Sequence, residues 1–186
     1  MIDISIQKAI NFAALKHKNQ VRKGTQLPYI VHPMEVMQIL TYLGAFDTTI
    51  IAGILHDTLE DTDTTPEEIK EEFGENILRL VQKESEDKSK SWHERKQTTI
   101  DNLKKESAEV QMICFADKLS NLRSIYRDKL DMGEKVWDRF NATKEDEYWY
   151  YKRILDETRC GLILTWQSGM YCIDEYEELL KEVFEK

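Results

Sequence analysis

The chain has 186 residues, enough to bury a core without disulfides or a structural metal, so a bound metal would be functional rather than structural. Hydrophobic residues make up 41% and charged residues 33%, with only seven glycines and three prolines, a composition that favours helices and disfavours sandwiches, collagen and disorder. The formal net charge of −9 argues against a nucleic-acid partner, and an enzyme of that charge acting on a polyanionic small molecule must gather positive charge locally, from a divalent ion and a few Lys or Arg.

Taken in chain order, Asp3 or Ser5 can cap a first helix whose apolar residues Ile6, Ala9, Ile10, Ala13 and Ala14 recur at helical spacing, ending near Lys18. Asp3, Lys8 and Lys16 interrupt the apolar run that a signal peptide needs, and no stretch approaches the roughly 20 apolar residues that span a bilayer. The expectation is a soluble, cytoplasmic protein that does not engage a membrane. Cys114, Cys160 and Cys172, odd in number and without CxxC spacing, fit the same reducing compartment and argue against a disulfide framework or a zinc-thiolate site.

The next stretch, NQVRKGTQLP, reads as a loop through Gly24 and Pro28 and concentrates positive charge at Arg22 and Lys23. A second helix is expected from about Tyr29 to Leu43, stopped by Gly44. Asp47 is the expected cap of a third helix through Ile50, Ile51, Ile54 and Leu55, apolar on nearly all sides and therefore central, with His56 and Asp57 at its end. In TTPEEIKEEFG, Thr65 is the N-cap, Pro66 opens the helix, Glu68 completes a capping box and Gly74 stops it.

A helix from about Glu75 to Gln82 follows, then the polar loop ESEDKSKSWHE, then helices from about His93 to Lys104 and from Ala108 to about Arg127. Thr143 and Asp146 resemble another capping box, opening an aromatic-rich helix through Tyr148, Trp149, Tyr150 and Tyr151, and the last 25 residues form an acidic amphipathic helix. No internal repeat, low-complexity tract or linker marks a second domain. The expected architecture is all-α, a single domain over residues 1–186.

His56 and Asp57 end a buried helix, where charge is costly unless compensated, and a divalent cation would compensate it. His32, amid Tyr29-Ile30-Val31 and Pro33-Met34, and Asp117, within Ile113-Cys114-Phe115-Ala116, occupy comparable apolar settings. Two imidazoles and two carboxylates suit Mn²⁺, Fe²⁺ or Zn²⁺ better than Ca²⁺ or Mg²⁺, and manganese is the expected ion. A lone buried His or Asp is more often a hydrogen-bonded core residue, but the order H…HD…D on separate apolar helices reverses that weighting. His17 and His93, in polar surroundings, are expected at the surface.

The segments RKGTQLPYIVHP, ILHDTLEDTDTT, ESEDKSKSWHERK and FADKLSNLRSI resemble, in order, successive motifs of the hydrolase domain of RelA/SpoT proteins, and especially of the small alarmone hydrolases. The resemblance covers about residues 10–128, leaving 129–186 as a helical extension packed on a compact HD-type bundle of about eight to ten helices. It implies metal-dependent release of pyrophosphate from the 3′ position of guanosine tetra- and pentaphosphate, leaving GDP or GTP. It further implies metal ligation by His32, His56, Asp57 and Asp117, a catalytic pair at Glu60 and Asp61, and nucleotide contacts from Asn121, Arg22 and Lys23. Lys88, Arg95 and Lys96 fall in similar motifs as phosphate-neutralising residues, and Lys144 or Tyr148 is a candidate to close over the nucleotide.

The spacing chemistry agrees. Glu60 lies about one helical turn beyond His56, so a continuing helix would turn its carboxylate toward the attacking water, and Asn121 shares a helix face with Asp117. Two other readings remain: an HD phosphohydrolase acting on another nucleotide, such as an adenosine alarmone or a nicotinamide dinucleotide phosphate, and a non-catalytic nucleotide-sensing module. Loss of metal ligands would mark the latter, whereas this chain keeps all four with Glu60 and Asp61. The oligomeric state stays open, a homodimer included.

Overall fold

The computed structural model describes residues 5–84, 89–165 and 167–185, with the side chains of 163–168 outside the described set. Helices occur from end to end, and the described residues contain no β-strand, only an isolated bridge between Val21 and Pro28. Two compact units divide the chain, Met1–Glu86 and Asp87–Lys186.

The first unit holds α1 (Ser5–Lys16), α2 (Val31–Tyr42), α3 (Asp47–Leu55), the single turn α4 (Thr58–Asp61), α5 (Pro66–Phe73) and α6 (Glu75–Glu84). Every residue of α3 from Thr49 to Leu55 is buried, and the helix packs against α1, α2 and α6, which makes it the axis of the unit. Ile54 and Leu55 are completely buried, and each such side chain contributes about 1.5–3 kcal/mol. Gly53 is the point of closest approach: a Cβ there would stand 2.3 Å from Leu40 Cδ1 and 3.3 Å from Val36 Cγ1, so α2 closes on α3 only because the position has no side chain.

Pro33 falls in the first turn of α2, where its missing N–H costs no helical hydrogen bond, and this places His32 at the N-terminal end of that helix. Gly44, with φ 74°, ends α2 in the left-handed conformation expected of a C′ glycine. The capping box of α5 is present in both halves, Glu68 N–H donating to Thr65 Oγ1 at 3.2 Å and Thr65 N–H to Glu68 Oε2 at 3.0 Å. Several boundaries differ from expectation, α2 starting at Val31 and α6 running on to Glu84 among them. Helix α1 stops at Lys16, and Asp47 is the first residue of α3 rather than its cap, a place taken by Phe46, which is 81% exposed. The Asp47 carboxylate still complements the positive end of the helix dipole.

The second unit holds α7 (Trp92–Leu103), α8 (Ala108–Met132), a 3-10 turn (Gly133–Arg139), α9 (Lys144–Thr165) and α10 (Gln167–Phe184). Helix α8 is its axis, buried through Ile113, Cys114, Phe115, Ala116 and Leu119 and packed against α9 and α10. It runs past the expected end at Arg127 to Met132, because Lys129 and Asp128 find partners in α10 and the 3-10 turn: Lys129 Nζ donates to the Val183 carbonyl at 2.7 Å, and Arg139 pairs with Asp128 at 2.7 Å. Ser91 forms a capping box with Glu94 that starts α7 at Trp92, one residue before the expected start. Thr143 caps α9, its Oγ1 accepting from Asp146 N–H at 3.1 Å while the hydroxyl donates to the Asp146 carboxylate at 2.9 Å.

Candidate metal centre

His32, His56 and Asp57 each present one ligand atom, and these atoms all lie within 4.8 Å of one another. The backbone explains why. His32 comes from the first turn of α2, while His56 is the C-cap of α3 (φ −53°, ψ −39°) and Asp57 the N-cap of α4 (φ −90°, ψ −6°). Asp57 Oδ2 stands 3.0 Å from His56 Nε2 and 3.5 Å from His32 Nε2, and the two imidazole rings are 5.2 Å apart. Both histidines are only 3% exposed.

The protonation pattern suits a metal. His56 Nδ1 lies 2.8 Å from the Gly53 carbonyl, which can only accept, so Nδ1 carries a proton and Nε2, on the side of Asp57, is the nitrogen placed to ligate a metal. Two ring nitrogens and a carboxylate oxygen form a borderline donor set of the kind that holds a divalent transition-metal ion. Tyr29 Oη donates to Asp57 Oδ2 at 2.6 Å. Burial pushes the Tyr29 phenol far above its ordinary pKa, and the carboxylates of Asp57 and Asp61 add to the shift, so it remains a donor at any physiological pH.

The helix does not continue smoothly from His56 to Glu60. It breaks at His56 and Asp57 and resumes as the single turn of α4, closed by Asp61 N–H donating to the Asp57 carbonyl at 2.9 Å. Within that turn Glu60 is half-buried and Asp61 exposed. The loop before α2 folds back on itself as a small hairpin: Arg22 N–H donates to the Leu27 carbonyl at 2.8 Å and Tyr29 N–H to the Gln20 carbonyl at 2.9 Å. Arg22, half-buried, holds its guanidinium carbon 5.6 Å from the centre of the Tyr29 ring, while Lys23 is exposed.

His17 departs from expectation. It is 1% exposed, stacked on Tyr29 with ring centroids 4.8 Å apart, and its Nδ1 meets Gln20 Oε1 at 2.6 Å. Polar neighbours in sequence do not make a surface residue when the next loop folds over it. His93 is exposed as expected and stacks on Trp149 with centroids 4.6 Å apart.

In the second unit, Asp117 is 7% exposed in the middle of α8. Its Oδ1 accepts from Asn121 Nδ2 at 2.6 Å and its Oδ2 from Lys118 Nζ, so the residue one turn on and the residue beside it both grip the carboxylate. Desolvation, the largest single effect, lowers the Lys118 pKa, but the Asp117 carboxylate acting together with Tyr150, Cys114 and Tyr151 outweighs it, and the ammonium is held well above its ordinary value. Lys96 lies 4.8 Å from the Tyr150 ring centre. Lys144 pairs with Glu134 at 3.0 Å and, with Glu145, Tyr148, Phe184 and Glu185, lines a cavity of about 330 Å³. Lys88 lies outside the described residues.

Sequence reasoning missed three contributors. Tyr29 was read as the start of a helix and as part of the apolar setting of His32, not as a partner of the site, although it stands three residues before His32 in the motif PYIVHP. Gly53 stands three residues before His56, the spacing at which its carbonyl can meet the His56 ring. Gln20 carries no such signal for its tie to α4, because that partner is distant in the chain: its Nε2 donates to the Asp61 carbonyl.

A family model described as HD domain matches residues 9–145. The guanosine-3′,5′-bis(diphosphate) 3′-pyrophosphohydrolase MESH1 of Xenopus tropicalis is 42% identical over 125 residues, covering 66% of this chain and 70% of its own length. The protein of the same name from Drosophila melanogaster is 33% identical over 156 residues, 82% of this chain and 83% of its own. A solved structure of a metazoan ortholog of SpoT, described as hydrolysing ppGpp, superposes with a TM-score of 0.75 at 29% identity over 96% of both chains. An all-α chain with two buried histidines and an aspartate gathered at the end of its central helix, matched by that model over most of its length, belongs to the HD domain family.

Proposed function

We propose that this chain is a metal-dependent 3′-pyrophosphohydrolase of guanosine tetra- and pentaphosphate, leaving GDP or GTP and releasing pyrophosphate. The observation that carries the reading is the buried His32, His56 and Asp57 cluster, with the His56 tautomer fixed by Gly53 for ligation. The HD domain calls for a divalent metal, and we assign Mn²⁺ from the mixed nitrogen and oxygen donors. Asp117 is the fourth ligand in this reading, supported by its burial and by the Asn121 amide that fixes Oδ1.

When bound, the ion supplies Lewis acidity to the 3′-diphosphate and lowers the pKa of a water. The residues do the rest. Water attacks the phosphorus attached to the 3′ oxygen, the bond between them breaks, and the ribose oxygen regains a proton as pyrophosphate leaves. Glu60, half-buried on α4, accepts the proton of the water, and Asp61 beside it orients that water. Arg22 stacks its guanidinium plane on the guanine with Lys23 alongside, and Asn121 contacts the ribose. Lys88, Lys144 and Tyr148 are assigned to the phosphate and nucleotide end.

A panel of nucleotides with added Mn²⁺ tests the substrate. Pyrophosphate is expected from guanosine tetra- and pentaphosphate alone, whereas equal turnover of an adenosine alarmone or a nicotinamide dinucleotide phosphate overturns the assignment. Replacing Asp117 by Ala abolishes turnover by this account, and unchanged hydrolysis by a variant of verified metal content contradicts it.

A further inference from the structure

Tyr29 stands between two parts of the proposed site that are distant in sequence. Its hydroxyl meets Asp57 Oδ2 at 2.6 Å, the same oxygen that faces His56 Nε2 at 3.0 Å and His32 Nε2 at 3.5 Å. Its ring carries the Arg22 guanidinium at 5.6 Å and the stacked His17 ring at 4.8 Å. A carboxylate oxygen has two lone pairs, so the phenol can hold one while the other faces a cation.

The backbone makes this connection stiff. Tyr29 closes the hairpin by donating its N–H to the Gln20 carbonyl, and the bridge between Val21 and Pro28 lies directly inside that bond. Gln20 in turn donates from Nε2 to the Asp61 carbonyl and accepts from His17 Nδ1. The hairpin that bears Arg22 is thus pinned at Asp57 through the Tyr29 hydroxyl and at Asp61 through the Gln20 amide, one pin on each end of α4.

We propose that Tyr29 is a positioning residue that ties the nucleotide-binding hairpin to the metal ligand Asp57, its hydroxyl orienting the carboxylate and its ring carrying Arg22. This rests on the roles assigned above to Asp57 and Arg22. Two consequences separate the halves of the side chain. The hydroxyl governs metal affinity, because a partner that orients a ligand changes binding about tenfold to a hundredfold. The ring governs nucleotide affinity, because it sets the plane of Arg22.

The test compares Tyr29→Phe and Tyr29→Leu with the full-length wild type by calorimetric titration of chelator-stripped protein with Mn²⁺, and by steady-state kinetics on guanosine tetraphosphate at saturating Mn²⁺. Tyr29→Phe keeps the ring, so it should weaken Mn²⁺ binding about tenfold or more while KM stays within about twofold. Tyr29→Leu should weaken Mn²⁺ binding equally and raise KM as Arg22→Ala does. Mn²⁺ affinity of Tyr29→Phe within about twofold of wild type, with the melting temperature of the stripped proteins unchanged, overturns the proposal. If Tyr29→Leu fails to fold, Tyr29→Phe decides alone. Should the wild type bind Mn²⁺ and hydrolyse no alarmone, the assigned reaction falls, while the Mn²⁺ titration still decides whether Tyr29 orients Asp57.

Discussion

One hydrogen bond, from the His56 ring to the Gly53 carbonyl, decides which nitrogen of that imidazole faces Asp57. Arg22 is set in the same manner by the face of Tyr29. Replacing Arg22 by Lys keeps the charge and loses the planar stack, so KM for the nucleotide should rise about tenfold with kcat little changed, as steady-state kinetics will read. A proportional fall in kcat instead would place Arg22 in the reacting step. Three of the four candidate ligands were legible as a group, because ionisable side chains in apolar stretches need compensation, and His32, His56 and Asp57 do gather. Tyr29 and Gln20 were not, because a tyrosine or glutamine in a loop gives no periodic signal and its partners are set by the folded chain. His17 was misplaced for the same reason, its burial coming from Tyr29 rather than from its own helix.

At the scale of elements, α3 does two jobs. Its buried isoleucines anchor the first unit, and its C-terminal end delivers His56 and Asp57. Gly53→Val should destabilise the protein by about 1–3 kcal/mol, because the added atoms meet Leu40 and Val36 in a packed interior. Urea unfolding measures this, and an unchanged midpoint would mean that α2 yields more easily than its burial suggests. Thr65→Ala removes half of a capping box and should cost about 1 kcal/mol by the same measurement. The helices and most of their ends were readable from periodicity and capping residues. Two exceptions have identifiable causes: the continuation past His56 that would carry Glu60 is broken at His56 and Asp57, and α8 outlasts its apolar pattern because tertiary partners extend it.

For the whole molecule, a chain of net charge −9 acting, as proposed, on a polyanionic nucleotide needs its positive charge placed where the phosphates sit. In the proposed site Arg22, Lys23 and a divalent cation would meet that need. No helix among the described residues is long and apolar enough to cross a membrane. The central claim is that the buried cluster holds a metal on which 3′-pyrophosphate release depends, and phosphorus NMR of guanosine tetraphosphate incubated with chelator-stripped protein, before and after adding Mn²⁺, tests it most directly. The account predicts no turnover by the stripped protein and, on adding Mn²⁺, the appearance of pyrophosphate and GDP in equal amounts. Turnover that survives metal removal, or release of orthophosphate from the 5′ end, would contradict it.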